Sequence, residues 1–252
     1  MPQSSHRVLV TALSLAGFVL FWAALAVLRA DAQILPAPPA VLAAIWAEAV
    51  SGRLMHHITA TLTRVGVAFA LSMGIGIALG LVLGRRPRLN QWVEPWLMIL
   101  LNLPALVVIA LCYLWIGLNE TAAIAAVTLN KTAMVAVTLR EGSRALSPSL
   151  ADLGQVYRLT PLMRLRHITL PQLAPYLASA TRNGLAIIWK IVLVVEFLGR
   201  SSGVGFQIHL KFQLFDITGV LAYALSFTAL MLVIDYALVQ PIERHANRWR
   251  NP

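Results

Sequence analysis

The amino-acid sequence predicts an all-α membrane protein with six transmembrane helices. Of its 252 residues, 59% are hydrophobic and only 12% are charged, about half the charged share of a soluble domain. The apolar residues also form long blocks, because residues 8–28, 65–84 and 95–119 contain no charged side chain. A helix needs about 20 apolar residues to cross the hydrocarbon layer, so each of these blocks is long enough.

The chain is predicted to form one domain, residues 1–252, that crosses the membrane six times. The first block has two features of a signal peptide, since Arg7 precedes it and Ala30-Asp31-Ala32 resembles a cleavage site. Its 21 apolar residues exceed the usual core of about 7–15 residues, so we expect a retained anchor. The predicted spans are 8–28, 62–84, 95–117, 121–139, 174–198 and 218–240.

Positive charge predicts the orientation of these spans. If the N-terminus is cytoplasmic, the cytoplasmic segments hold twelve Arg residues, and the outer segments hold four basic residues, Arg29, Arg53, Arg200 and Lys211. Cytoplasmic loops are enriched in Lys and Arg, so both termini are predicted to be cytoplasmic. The same rule explains the net charge of +10 without nucleic-acid binding. The twelve are Arg7, Arg85, Arg86, Arg88, Arg140, Arg144, Arg158, Arg164, Arg166, Arg244, Arg248 and Arg250.

Two connecting segments are long enough to have structure of their own. On the outer side, residues 41–50 are predicted to form a short interfacial helix. On the cytoplasmic side, the loop 141–172 contains Ser147-Pro148 and Thr160-Pro161, each a capping residue followed by proline at the first helical position. We therefore expect two short helices with a tight turn near residues 157–159, after which the chain leaves the loop through Leu170-Pro171.

The second span carries glycines at every fourth position, Gly76, Gly80 and Gly84. This spacing allows another helix to approach closely within lipid. Glycine is also simply common in membrane helices, so the pattern has two readings of equal weight.

Sequence motifs of enzymes are missing from the chain. No glycine-rich run ends in Gly-Lys followed by Ser or Thr, so this chain is not expected to hydrolyse ATP. The zinc-protease, Cys-x-x-Cys and Gly-x-Ser-x-Gly motifs do not occur either. The adjacent pair His56-His57 is a poor metal site because neighbouring helical residues point about 100° apart. The single cysteine, Cys112, excludes an intrachain disulfide.

Four charged residues lie inside predicted spans: Lys131, Arg182, Lys190 and Glu196. Charge at membrane depth costs about 2.5–3.5 kcal/mol even on lenient scales, so it normally faces protein or a water-filled cavity. One interpretation is that the fifth span lines a polar pathway. The other is that these charges pair with neighbouring helices for assembly. A fifth residue, Arg64, lies near a membrane edge, where snorkelling accounts for it.

The cytoplasmic loop contains a recognisable pattern. The stretch from Asp152 to Arg158 reads D-L-G-Q-V-Y-R, and Ile168-Thr169-Leu170-Pro171 begins ten positions after Arg158. This resembles the loop motif E-A-A-x3-G-x9-I-x-L-P of importer permeases of the ATP-binding-cassette (ABC) superfamily. The last four residues match, whereas Asp152, Gly154 and Arg158 replace glutamate, alanine and glycine. Glycine suits a turn that needs positive φ, and arginine there costs about 1 kcal/mol. Thr160-Pro161 is an alternative determinant of the turn.

Other segments extend the resemblance over roughly residues 34–245, and it is to the nitrate/sulfonate/taurine type of these permeases. They are Leu35-Pro36-Ala37-Pro38, Gly52-Arg53-Leu54, Thr61-Leu62-Thr63-Arg64-Val65, Leu103-Pro104-Ala105, Leu114-Trp115-Ile116-Gly117-Leu118-Asn119-Glu120, Trp189-Lys190, Val195-Glu196 and Ser201-Ser202-Gly203-Val204-Gly205.

The resemblance implies a type I ABC importer-like fold and a permease subunit in a bacterial inner membrane. Two copies would pair around a translocation path for a small solute, with an anion such as nitrate, a sulfonate or taurine favoured. Two separate ATPase subunits would bind ATP and Mg, and a periplasmic or lipid-anchored substrate-binding protein would dock outside. The chain itself would hold no cofactor and no metal.

The resemblance also implies roles for particular residues. The cytoplasmic loop would be a coupling helix: Asp152, Gly154, Tyr157 and Arg158 form its front part, with the first three expected to contact the ATPase. Ile168, Leu170 and Pro171 would anchor the loop against the bundle. The candidates for pathway or gate positions are Asn102, Pro104, Arg182, Trp189, Lys190 and Glu196.

Two other classes of protein remain as alternatives. An ion-coupled secondary transporter or channel would use Lys131, Lys190 and Glu196 as coupling groups, but no internal repeat of the kind common in such transporters is apparent. A membrane-embedded enzyme would need clustered carboxylates or a metal site, and the ten acidic residues are scattered. Co-purification with an ATPase subunit would distinguish the importer from both.

Overall fold

A computed structural model describes residues 2–29, 31 and 33–241 of the chain. Every regular element in these residues is helical. In chain order they are α1 Pro2–Arg29, α2 Pro38–Val50, α3 Arg53–Arg85, α4 Pro87–Asn102, α5 Ala105–Ile116, α6 Glu120–Arg144, α7 Pro148–Val156, α8 Pro161–Arg164, a π-helical turn Leu165–Thr169, α9 Leu170–Gly199, α10 Val204–Gln213, α11 Ile217–Ile234 and a second π-helical turn Asp235–Val239.

Four of the described helical segments are long and apolar enough to cross a membrane: Leu9–Arg29, Arg53–Arg85, Glu120–Arg144 and Ile217–Val239. The pair α4 and α5 would make a fifth if it counts as one broken span. The fifth predicted span lies in α9, which is 30 residues long but carries three charges, Arg182, Lys190 and Glu196. The count of six spans and the single domain therefore stay predictions. The predicted cytoplasmic residues Arg244, Arg248 and Arg250 lie outside the described residues.

The predicted span 95–117 is not one continuous helix, because the helix breaks at Leu103-Pro104 and the two halves are bent by 99°. Leu103 has an extended backbone (φ −69°, ψ 125°), as the proline after it requires. Pro104 has no N–H to continue the ladder of hydrogen bonds. With 12 residues, α5 is about 18 Å long and too short to cross a hydrocarbon core of about 30 Å.

Helix α6 is the centre of the bundle and packs against α3, α4, α5 and α9. The glycines of α3 make the closest of these contacts. A Cβ atom placed on Gly76 or Gly84 would lie 2.5 Å from the Cβ of Val135 or Ser143, and one on Gly80 would lie 2.5 Å from the carbonyl oxygen of Ala136. The glycine pattern therefore serves close helix approach, the first of its two readings.

Two short helices form the opposite end of the bundle from α7 and α8. The interfacial helix predicted at 41–50 is α2, which begins earlier, at Pro38. Helix α10 lies in the segment 199–217, which was predicted only as a loop, and it packs against α3, α9 and α11. Helix α1 touches the rest mainly through α2, where Trp22 donates a hydrogen bond to the Pro36 carbonyl.

The loop between α6 and α9 differs from the prediction in its second half. Helix α7 is separate, but α8 continues through the π-helical turn directly into α9 without an exit at Leu170-Pro171. The Leu170 N–H bonds to the Leu165 carbonyl, five residues back. Pro171 cannot donate, and its ring would clash with the His167 carbonyl in a regular α-helix. The wider π-helical turn accommodates this proline.

Candidate functional site

An ion-pair cluster lies where α3, α6 and α9 meet the α9–α10 loop. Arg64, which is 5% exposed, donates from Nη1 to Glu196 Oε1 (2.7 Å) and to the Ser202 carbonyl (2.7 Å). Its Nε and Nη2 donate to both carboxylate oxygens of Glu120 (2.8 and 2.6 Å). The two-pronged contact with Glu120 fits the planar guanidinium. One arginine thus joins three helices.

The carboxylate of Glu196 is completely enclosed, at 0% exposed. Its Oε2 accepts hydrogen bonds from Thr61 Oγ1 and the Gly205 N–H, both at 2.9 Å. The α9–α10 loop can pass this closely because glycines, which have no Cβ, occupy positions 203 and 205. A Cβ on Gly203 would overlap the Glu196 carboxylate, and one on Gly205 would overlap the Leu193 carbonyl. A buried charge is stable only when it is paired and hydrogen-bonded, and Glu196 meets both conditions.

Glu120 also binds a second arginine at the surface of the cluster. Arg200 donates from Nη2 to Glu120 Oε1 (2.8 Å) and from Nη1 to the Leu118 carbonyl (3.0 Å). These residues close the end of the bundle between the start of α6 and the end of α9. The ion-pair cluster consists of Thr61, Arg64, Glu120, Glu196, Arg200, Ser202 and Gly205.

The sequence contained a signal for this cluster that went unused. The prediction that Arg64 snorkels to the membrane edge is wrong, because its guanidinium forms ion pairs with Glu196 and Glu120 inside the bundle. In the six-span topology, Arg64 begins the second span, Glu120 begins the fourth and Glu196 ends the fifth. All three therefore fall at one end of the bundle, where opposite charges could have been paired on topology alone.

Two further buried cations, Lys131 and Arg140, lie on α6 and have other partners. Lys131 is 2% exposed, and its Nζ lies 2.6 Å from Met134 Sδ and 3.3 Å from the Asn183 carbonyl of α9. Arg140 lies at the opposite end of α6 from Glu120 and donates to Asn90 and Glu94 of α4. Arg64 and Arg140 therefore fasten the two ends of the central helix to its neighbours.

The predicted pathway residues do not form one surface. Arg182 and Trp189 line a cavity of about 290 Å³ between α9 and α11, together with Asp235. Lys190 is exposed, and its Nζ lies 5.5 Å from the centre of the Trp189 ring. Asn102 and Pro104 flank the α4–α5 break, where Asn102 bonds back to the Met98 carbonyl. Glu196 lies in the ion-pair cluster, as the pairing interpretation of the membrane charges expects. A pathway role for these residues stays a prediction.

The predicted coupling residues form a compact unit at the α7 end. Val156 is 76% and Tyr157 72% exposed, and Asp152 is exposed as well. Gly154 is instead buried, and a Cβ atom added to it would lie 2.9 Å from Ile168 Cδ1 and 3.2 Å from Arg164 Nε. Gly154 and Ile168 thus hold α7 against the π-helical turn, and the expected anchoring of the loop to the bundle by Ile168 stays a prediction. Leu170 is 43% exposed and, with Pro171, belongs to the start of α9.

The end of α7 shows why the motif requires positive φ. The Arg158 N–H bonds to the Gln155 carbonyl and the Leu159 N–H bonds to the Gly154 carbonyl, both at 2.9 Å. This is the Schellman arrangement, in which the residue after the helix cap is left-handed. Arg158 occupies that position with φ 48°. Thr160 caps α8 by accepting from the Met163 N–H, but it does not relieve Arg158 of the left-handed conformation.

Replacing Arg158 with glycine is therefore expected to stabilise the protein by about 1 kcal/mol, the cost of a left-handed non-glycine residue. Thermal unfolding in detergent would measure this as a higher melting temperature. Arg166→Gly is the matched control: it sits in the π-helical turn, where glycine should destabilise by up to about 1 kcal/mol. A lower melting temperature for Arg158→Gly would show that contacts of the arginine side chain stabilise the protein by more than its left-handed backbone conformation costs.

A smaller charged group lies at the opposite end, centred on Glu48, which is outside the membrane-spanning helices. Glu48 of α2 accepts hydrogen bonds from Arg53 and Tyr223. The hydrogen bond from Arg53 holds the pKa of Glu48 below its ordinary value. Glu48 therefore stays ionised at neutral pH and connects α2 with the starts of α3 and α11.

An apolar helical bundle with several helices long enough to cross a membrane defines a multi-pass membrane protein. Residues 72–240 match the family described as binding-protein-dependent transport system inner membrane component. The chain belongs to this family.

Similar proteins agree with the assignment. An aliphatic sulfonates transport permease of Escherichia coli (strain K12) is 30% identical over 224 residues, 87% of this chain and 83% of the relative. A taurine transport system permease of the same strain is 23% identical over 97% of this chain and 91% of the relative. Among solved structures, the MetNI methionine ABC transporter in an inward-facing conformation has a TM-score of 0.65 at 19% identity, covering 79% of this chain and 98% of that chain.

Proposed function

We propose that the chain is the membrane subunit of an ATP-driven importer in which α7 transmits the motion of a separate ATPase to the transmembrane helices. The observation that carries this proposal is the construction of α7. It presents apolar side chains to solvent, yet it packs through Gly154 against the π-helical turn that leads into α9. Surface-exposed clusters of this kind are typical of protein interfaces.

The exposed face of α7 supports a protein partner. Leu153, Val156 and Tyr157 are 46%, 76% and 72% exposed, and tyrosine is enriched among the residues that dominate binding energy at interfaces. The attachment supports transmission, because Gly154 packs against Ile168 and the Schellman hydrogen bonds fix the chain that follows. Movement of α7 should therefore move the start of α9.

The remaining partners follow from the family and the relatives. Two copies of this chain would enclose the translocation path, two ATPase subunits would bind ATP and Mg, and a substrate-binding protein would dock at the end formed by α2 and α10. Both termini would be cytoplasmic, since this places α7 and the basic segments on the ATPase side. The relatives that are named for aliphatic sulfonates and taurine favour a small sulfonate as the cargo.

The test is co-purification of the chain with its candidate ATPase, followed by ATP hydrolysis and uptake in liposomes. Tyr157→Ala should weaken the association with the ATPase about tenfold or more, as expected for a residue that dominates an interface, and should uncouple hydrolysis from uptake. Leu214→Ala is the matched control: Leu214 is 65% exposed at the opposite end of the bundle, so this change should leave ATPase binding intact. Failure of the unaltered chain to bind any ATPase, with uptake driven by an ion gradient, would overturn the proposal.

A further inference from the structure

A cavity at the α7 end is lined by three arginines from three different parts of the chain. Arg85 ends α3, Arg158 occupies the left-handed turn after α7, and Arg164 ends α8. The cavity measures about 640 Å³, within the range of roughly 300–1,000 Å³ typical of small-molecule sites. No carboxylate is among the side chains that line it. Its chemistry is that of an anion site.

Two of these arginines have no acidic partner in the described part of the chain. The ion pairs found there join other basic residues, and none reaches Arg85 or Arg158 within 4.0 Å. By contrast, the buried arginines Arg64 and Arg140 are both paired with glutamates. Arg85 and Arg158 therefore bring positive charge to the cavity without an ion-pair partner in the described part of the chain.

The backbone of Arg158 is a second, independent observation. Arginine in the left-handed conformation costs about 1–2 kcal/mol, and the loop motif of the resembled permeases has glycine here, which would adopt the same turn freely. Backbone strain that persists in a structure is often associated with a functional site. The strain places a guanidinium at the cavity, which glycine could not supply.

We propose that the three-arginine cavity binds the phosphate group of an anionic phospholipid. Arginine recognises phosphate through several parallel N–H donors, and basic pockets at the ends of membrane helices bind acidic head groups. The cavity borders α7, the helix that the proposed function assigns to the ATPase contact, but lipid binding there does not depend on that function.

Position and lining favour a lipid over a free phosphate ion. Arg85 directly follows the uncharged run 65–84 of α3, so it lies where the hydrocarbon layer ends and the lipid head groups begin. The cavity is also lined by Leu159, Pro161 and Leu165. These apolar side chains can contact the glycerol and upper acyl carbons of a lipid. Inorganic phosphate has no apolar part that would make such contacts.

The experiment uses the full-length chain, freed of lipid in a neutral detergent and titrated with dioctanoyl phosphatidylglycerol. Native mass spectrometry reads the fraction that carries one lipid. Parallel titrations use inorganic phosphate and dioctanoyl phosphatidylcholine, which carries the same phosphate with a compensating cation. We expect one phosphatidylglycerol to bind, phosphatidylcholine to bind more weakly, and inorganic phosphate not to compete at equal concentration.

Four variants separate charge from strain. Arg85→Gln and Arg158→Gln should each weaken phosphatidylglycerol binding about fivefold, the effect of one basic residue near an acidic lipid. Arg158→Gly should weaken binding equally while raising the melting temperature, so loss of folding cannot explain its effect. Arg88→Gln changes an exposed arginine of α4 that does not line the cavity and should leave the affinity unchanged.

Three results would overturn the proposal. Equal loss of affinity in Arg88→Gln would show that general surface charge attracts the lipid. Unchanged binding in both Arg85→Gln and Arg158→Gln would show that the cavity is not the site. Competition by inorganic phosphate at equal concentration would assign the cavity to a free anion instead of a lipid.

Discussion

Replacing Arg64 with methionine is expected to lower the free energy of unfolding by about 3–5 kcal/mol, the usual cost of removing one partner of a buried ion pair. Glu196 would then be a fully enclosed carboxylate that retains only the hydrogen bonds from Thr61 and Gly205. Glu120 is half exposed and keeps its contact with Arg200, so most of the loss should come from Glu196. Chemical unfolding in mixed micelles, followed by circular dichroism, measures the change.

Two further variants make this prediction specific. Arg53→Met removes an arginine that is itself exposed, its side chain being 62% accessible, and leaves Glu48 the hydrogen bond from Tyr223, so it should cost less than about 1 kcal/mol. The double variant Arg64→Met with Glu196→Gln removes the enclosed charge and should recover part of the loss, which a double-mutant cycle reports as coupling. A loss for Arg64→Met no greater than for Arg53→Met would mean that Glu196 is hydrated or protonated in the folded protein.

The second large effect is expected from adding a single methyl group to α3. In Gly80→Ala the new Cβ would lie 2.5 Å from the Ala136 carbonyl oxygen and 2.9 Å from the Arg140 backbone nitrogen. Backbone atoms cannot rotate away, so α3 and α6 must separate. Overpacking of this kind costs about 1–3 kcal/mol or more, which outweighs the gain of about 1 kcal/mol from alanine's helix propensity.

Gly74→Ala is the matched control for this prediction. Gly74 lies on the same helix, six residues earlier, and has no heavy atom within 4 Å of an added Cβ. The same substitution there should be neutral or stabilising by up to about 1 kcal/mol. The two variants should therefore shift the unfolding midpoint in opposite directions. A shift of the same sign would show that α3 and α6 are not held at this distance.

The sequence predicted those features of the fold that depend on neighbouring residues. Uncharged runs located the long helices, the glycines at 76, 80 and 84 marked a close-packed face, and Ser147-Pro148 marked the start of α7. The turn at Arg158 was located as well, because the motif gives glycine there. These signals lie within one or two helical turns, the range over which hydrogen bonding and side-chain spacing act directly.

The features that the sequence did not predict depend on contacts between distant segments or on a single residue inside an apolar run. The pairing of Arg64 with Glu196 joins residues 132 positions apart, and apolar periodicity carries no information about it. The break at Leu103-Pro104 was missed because hydropathy does not register a lost backbone donor. The continuity of α8 with α9 was missed because Pro171 indicates a helix start, whereas a π-helical turn lets the helix pass through it.

That continuity has a mechanical consequence. From Pro161 to Gly199 the chain forms one uninterrupted helical rod of 39 residues, about 58 Å in length. It runs from the α7 end of the bundle to the α9–α10 loop, which encloses Glu196. Force applied at its α8 end would be carried along this helix, whose regular hydrogen bonding is interrupted at two places, the π-helical turn before Pro171 and Pro175 inside α9. Bending is thus concentrated around Pro171 and Pro175, and the part of α9 beyond Pro175 moves as the stiff arm.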